Sequence, residues 1–366
     1  MNRRALLFVY LVVAWPAGAV CQQPAAAPAP SPAINVVIND SANIMMRQGL
    51  ADALQAHGRE AVASLRAIDT TRLAERYRPT RVCMLDRLDA RRMPPSAIPD
   101  RFLSDILGIY REYWLRSLRA EHSPPDNDAW LLASLNARVS REGGPSAATL
   151  DDLEPVLEAM ILTLGYHPLL GLTSPLRELM LWKTETETRY NVKLPESTQR
   201  VTVVFMDDFA SLGWAGFATC DRHHSGGWTK PDRLYAVRSA YDVDSEEFRV
   251  SYLAHEGQHF SDNHRFPGLE DQQELEYRAK LVELAVGKAS VYDLLESFAG
   301  NTGDDRTVPH SYANGRVVRD LMKRVPFQGT RPAWRGVSVD RINKVAATLL
   351  REDTARLEKE PSLKPR

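Results

Sequence analysis

Three rhythms of apolar and polar residues divide this chain. Ala5 to Trp15 is one unbroken apolar run behind Arg3 and Arg4. Ala17-Gly18-Ala19 follows as a small-x-small cleavage site, so residues 1–20 read as a secretory signal. Residues 21–40 include an Ala/Pro-rich stretch, Gln22 to Pro32, that cannot build a core and reads as an extended tether. A helical rhythm, with apolar residues three and four apart, then runs from Asn43 to about Lys183. It covers Ile44–Ile68, Asp100–Glu121, Asp128–Arg141 and Leu150–Leu164. Pro94-Pro95 and Pro124-Pro125 punctuate it. Residues 41–183 are therefore expected to form a helical N-terminal region.

At Thr184 the period drops to two. Thr184–Val192 predicts a strand with one solvated face, Pro195-Glu196-Ser197 a turn, and Arg200–Met206 a more buried strand. Gly213–Thr219 reads as a further strand, and Leu234–Arg238 as another just before the next helix. A helix follows. Asp244-Ser245-Glu246-Glu247 predicts a capping box with Asp244 as cap, Phe248, Tyr252, Leu253 and Phe260 form the apolar stripe, and Pro267-Gly268 ends it. Gln273–Ala285 predicts the next helix. Pro309 opens another, with Val318, Leu321 and Val325 as its stripe, and Val339–Lys359 a last one after the break at Arg331-Pro332. The expected fold class is α+β: mostly helical, with a small mixed β-sheet preceding one polar-faced helix. The working division is a core over 184–300 and C-terminal helices over 301–366.

Composition narrows the classes. The 366 residues suffice for two domains or one large one, and 44% hydrophobic content supports a packed core. Forty-six basic and 47 acidic residues nearly cancel, with no polybasic run, so nucleic acid is not an expected partner. The signal implies export to the periplasm or beyond the cell. A second processing reading makes Gly18-Ala19-Val20-Cys21 a lipoprotein box. Lipidation of Cys21 would then be the only expected link to a membrane, since no later apolar run is long enough to span one. Cys83 and Cys220 remain, and two cysteines in an oxidising compartment allow one pairing. Two separate buried thiols are the alternative.

The chemistry concentrates in His255-Glu256-Gly257-Gln258-His259. On a helix, residues four apart share a face, so His255 and His259 can grip one metal ion with Glu256 beside them. The motif resembles that of the zincin superfamily of metallopeptidases, most closely those with a glutamate ligand. The resemblance implies Zn2+ as cofactor, His255 and His259 as ligands and Glu256 as general base. It also implies a third ligand on the following helix, often in Glu-x-x-Ala. Glu276 with Ala279 matches; Glu274 is the fallback. Where that group often carries an acid four residues beyond the ligand, this chain has Lys280, which leaves Asp262 or Glu283 to orient His255. For the oxyanion of a tetrahedral intermediate, His310 or Tyr312 is the expected donor, both near the polar start of the Pro309 helix. The partner so implied is a peptide or protein substrate laid along the edge strand 234–239. Two other readings fit the motif: an envelope binding or chaperone-like protein of the same fold, or an amidase acting on cell-wall peptides. His57, His122 and His167 are isolated and read as structural, and His223-His224 as a loop.

Overall fold

A computed structural model describes residues 41–306, 308–325, 334–360 and 363. The signal segment, Cys21, the tether and the Arg331-Pro332 break lie outside the described residues. No helix among the described residues is long and apolar enough to cross a membrane. The fold is α+β and mostly helical, and it divides into two compact units.

The first unit comprises residues 41–184 and Met206–Ser225. Its helices are α1 (Ser41–Leu54), α2 (Gly58–Arg66), α3 (Arg78–Met84), α4 (Arg101–Leu118), α5 (Pro124–Arg141) and α6 (Leu150–Thr163). Caps explain several starts: Asp100 accepts from the N–H of Leu103, Ser123 from Asp126 and Thr149 from Asp152. Pro124-Pro125 does not separate α5 from its loop. It forms the first turn of α5, where a missing N–H costs nothing, so the helix begins before the expected Asp128.

The helical region also stops short of Lys183. Residues 167–182 form an antiparallel hairpin, β1 (His167–Thr173) with β2 (Leu176–Trp182), in which Leu169 faces Met180. Its leucines are buried on both faces in places, so no clean alternation marked it. Strands β3 (Thr184–Lys193) and β4 (Thr198–Asp207) come next, then β5 (Ser211–Leu212), which pairs with β2.

Gly213–Thr219 is not a strand but the helix α7, with all seven residues buried. Gly213 has φ +81°, and a Cβ there would meet the Glu178 carboxylate at 2.2 Å. Glu178 accepts the N–H of Trp214 instead and so starts the helix. Helix α7 ends at Cys220, which is disulfide-bonded to Cys83.

The second unit comprises Glu185–Phe205 and the described residues from Gly226 onward. Its sheet has the order β3-β4-β7-β6, where β6 is Gly227–Thr229 and β7 is Leu234–Val237. The segment 234–239 is therefore not the edge. Strand β7 ends at Val237 and is paired on both sides, by β4 and by β6, and among the described residues β6 ends the sheet there.

The chain then enters a π-helical stretch, Phe248–Ala254, that runs directly into α8 (His255–Arg265). Such wide turns recur at functional sites. Ser245 rather than Asp244 caps this segment, accepting from the N–H of Phe248. Glu246 instead accepts from Lys288 and Ser290, in the link ahead of α10.

Helices α9 (Gln272–Val286), α10 (Val291–Gly300), α11 (Pro309–Arg324) and α12 (Val339–Leu357) complete the unit. Helix α9 is its axis. Every residue from Leu275 to Leu284 is buried, because α8, α11 and α12 pack around it. Four of those residues are charged, Glu276, Arg278, Lys280 and Glu283, and each needs a partner there.

Candidate metal centre

The motif histidines sit one turn apart on α8, both buried, with their Nε2 atoms 3.1 Å from each other. The residue between them is closely packed. A Cβ on Gly257 would come within 3.1 Å of the Val192 side chain, which β3 lays across α8. The close neighbour is thus a strand of the same sheet.

Glu276 projects from α9 toward the pair. Its Oε2 lies 3.6 Å from His255 Nε2 and its Oε1 3.5 Å from His259 Nε2. Both oxygens are buried, and His310 Nδ1 stands 2.8 Å from Oε2. The three donor atoms all lie within 4.8 Å of one another, so the group can hold a metal ion. Donors bound tetrahedrally to zinc at its usual bond lengths stand about 3.3–3.5 Å apart. The two imidazole nitrogens, 3.1 Å apart, are near that spacing, and Glu276 turns a different oxygen to each, Oε2 to His255 and Oε1 to His259.

The surroundings fix the ligands. His255 Nδ1 donates to Glu283 Oε1 at 2.7 Å, which leaves Nε2 with its lone pair facing the centre. Glu283 is thus the orienting carboxylate. Asp262 serves elsewhere, receiving both the Nε and Nη2 donors of Arg278 at 2.8 Å. Electrostatics follow the geometry. Burial opposes charge on Glu276, yet His310 and His255 hold its carboxyl well below the usual range. Burial likewise resists a charge on His255, but Glu276 and Glu283 push its imidazole up to about 10 in the metal-free protein. These shifts describe a site with strong local charge and no solvent to share it.

Glu256 is fully buried beside the ligands. Its Oε2 accepts from Thr229 Oγ1 at 2.5 Å, and its Oε1 has no hydrogen-bond partner. Thr229 ends β6, so the sheet's last strand fixes this carboxylate. Two buried phenols, Tyr241 and Tyr252, also have unpartnered hydroxyls, and burial together with the charge of Glu256 keeps both well above their ordinary pKa. Sequence reasoning passed over Thr229 and both tyrosines. Tyr252 stands four residues before Glu256, a helical spacing that could have flagged it; Thr229 carried no local signal.

The remaining candidates separate. His310, in the first turn of α11, places Nδ1 2.8 Å from Glu276 Oε2 and keeps 31% of its side chain exposed. Tyr312 does not join the site: its hydroxyl accepts from Arg306 at 3.1 Å, and the same guanidinium lies over its ring. Two residues beyond His310 on the same helix, it is turned to another face. Glu274 also points away, to Arg316 and Arg356. Asn314 donates to the Asn301 carbonyl, a structural bond. His223 and His224 belong to the first unit, where His224 Nδ1 lies 2.9 Å from the Ser225 carbonyl.

Comparison with family models, curated proteins and solved structures returns no match to this chain.

Proposed function

We propose that this chain is an exported, zinc-dependent metallopeptidase of zincin type. One observation carries the reading: His255, His259 and Glu276, from two helices, bring their donor atoms within 4.8 Å of one another beside the buried, half-satisfied carboxylate of Glu256. The structure fits the ligand set, and His255, His259 and Glu276 would hold the ion. Zinc bound there would supply a Lewis acid with one position open for exchange. Glu256 takes the proton of the attacking water through its free Oε1, while Thr229 holds Oε2 still. As the water oxygen bonds to the scissile carbonyl carbon and the C–N bond breaks, Glu256 returns that proton to the leaving amine. His310, partly exposed and tied to Glu276 through Nδ1, offers Nε2 to the developing oxyanion.

The same His310 contact favours a second reading. An imidazole 2.8 Å from a ligand oxygen is close enough to become a fourth protein ligand after a small rotation. A closed sphere of four would make the metal structural and the protein a binding module.

The deciding experiment takes purified protein, measures its metal content, and assays denatured casein and peptidoglycan fragments with and without chelator. Stoichiometric zinc with chelator-sensitive cleavage that Glu256→Gln abolishes supports the peptidase. Cleavage of wall fragments alone makes it an amidase. Zinc without any cleavage supports the binding module, and no metal at all removes the peptidase and the amidase together.

A further inference from the structure

Lys280 is a lysine buried among the ligands of a candidate cation site. Only 7% of it is exposed. It stands four residues after Glu276 on α9, with Nζ 3.9 Å from Glu276 Oε2 and over the face of Phe298 at 4.8 Å. A buried ammonium needs a counter-charge, and a ring face supplies only part of it. The carboxylate that compensates Lys280 is thus the one that would bind the metal.

We propose that Lys280 is a positioning residue of the metal site that holds Glu276 in the empty protein and competes with the bound cation for its charge. This deepens the reading of the site given above and rests on it. The physics is a shared anion. When a divalent ion takes both the lone pairs and the charge of Glu276, Lys280 loses its partner and faces a second cation across a dry interior. Two cations a few ångströms apart at low effective dielectric repel strongly. The protein thereby gives up affinity and keeps residual positive charge beside the ion. The Glu283 carboxylate sits behind His255, on the far side of that imidazole's Nε2, and Glu256 is held by Thr229.

The test is zinc affinity, measured by competition with a chromophoric chelator on the purified protein. Lys280→Met keeps the length and the apolar stem but removes the charge, and Lys280→Arg keeps the charge. The expected result is zinc binding tighter by about tenfold or more in Lys280→Met and within about threefold of wild type in Lys280→Arg. Unchanged or weaker binding in Lys280→Met overturns the proposal while leaving the metal site intact. Wild type that binds no zinc overturns the site itself, a separate outcome. If Lys280→Met does not fold, Lys280→Gln makes the same measurement. Failure of both neutral variants to fold, with Lys280→Arg folding normally, overturns it by making Lys280 a stability residue.

Discussion

Glu283 Oε1 stands 2.7 Å from Nδ1 of His255, and Glu283 lies two helical turns beyond Glu276 on α9. One helix therefore supplies both a candidate ligand and the group that orients a second candidate. With Nδ1–H donated to Glu283, the His255 lone pair is committed to Nε2. Glu283→Gln removes the negative charge and makes that tautomer optional. Zinc affinity is expected to fall by about 10- to 100-fold with the fold retained. Chelator competition and far-ultraviolet circular dichroism check the two halves. Wild-type affinity in this variant would show that the contact orients nothing.

His310 separates the two readings of the site. If it serves the oxyanion, His310→Ala lowers kcat by about 100- to 1000-fold and leaves zinc affinity near wild type. If it closes the metal sphere, the same change weakens zinc binding instead. Kinetics and metal titration on one variant give the answer. An unchanged kcat together with unchanged affinity would remove His310 from both roles.

His255 and His259 were legible as a pair from helical period, and Glu276 only through the resemblance, which places a third ligand in Glu-x-x-Ala on the next helix; the fold brings the three together as a group that could hold a metal. The fold class was legible from period as well, since long periodic segments dominate the chain. What failed was set by tertiary context. The hairpin of β1 and β2 hid in a mostly apolar run. Alternating small and large residues made α7 look like a strand, until Glu178 is seen capping it. Strand β7 looked terminal because the three-residue β6, which covers it, is too short to show a period. Thr229 reaches Glu256 across 27 residues of sequence, so only pairing of β6 onto β7 brings it there.

The buried guanidinium of Arg278 holds α8 and α9 in register. It makes two bonds to Asp262, three residues after His259, and one to Asp353 on α12. Asp353 also binds Arg316 of α11. Arg278 lies two residues after Glu276, so this lattice fixes how far the carboxylate stands from the histidines. Arg278→Met leaves the buried Asp262 without its counter-charge, while Asp353 keeps Arg316 and Arg356. The expected loss of stability is about 3–5 kcal/mol, read from denaturant unfolding. A loss below about 1 kcal/mol, as for an exposed pair, would mean solvent reaches the network.

Glu178 gives the first unit a pH dependence with a definite sign. Burial pushes its carboxyl up, donors from Thr173 and the N–H groups of Trp214 and Leu179 pull it down, and it settles at about 7. The unfolded chain releases this proton near 4.5, before the folded protein does. Between those values the folded state binds more protons, so raising the pH favours the unfolded state. The contribution is whole below the lower value, declines through the window and is gone above the upper one. Its ceiling is about 3 kcal/mol for a shift of this size. Glu178→Gln keeps an acceptor for Trp214 but cannot ionise. Denaturant unfolding at pH 5 and pH 8 is expected to show wild type losing stability relative to this variant as pH rises. Parallel profiles would mean that Glu178 ionises at its ordinary pKa and that α7 tolerates a charged cap.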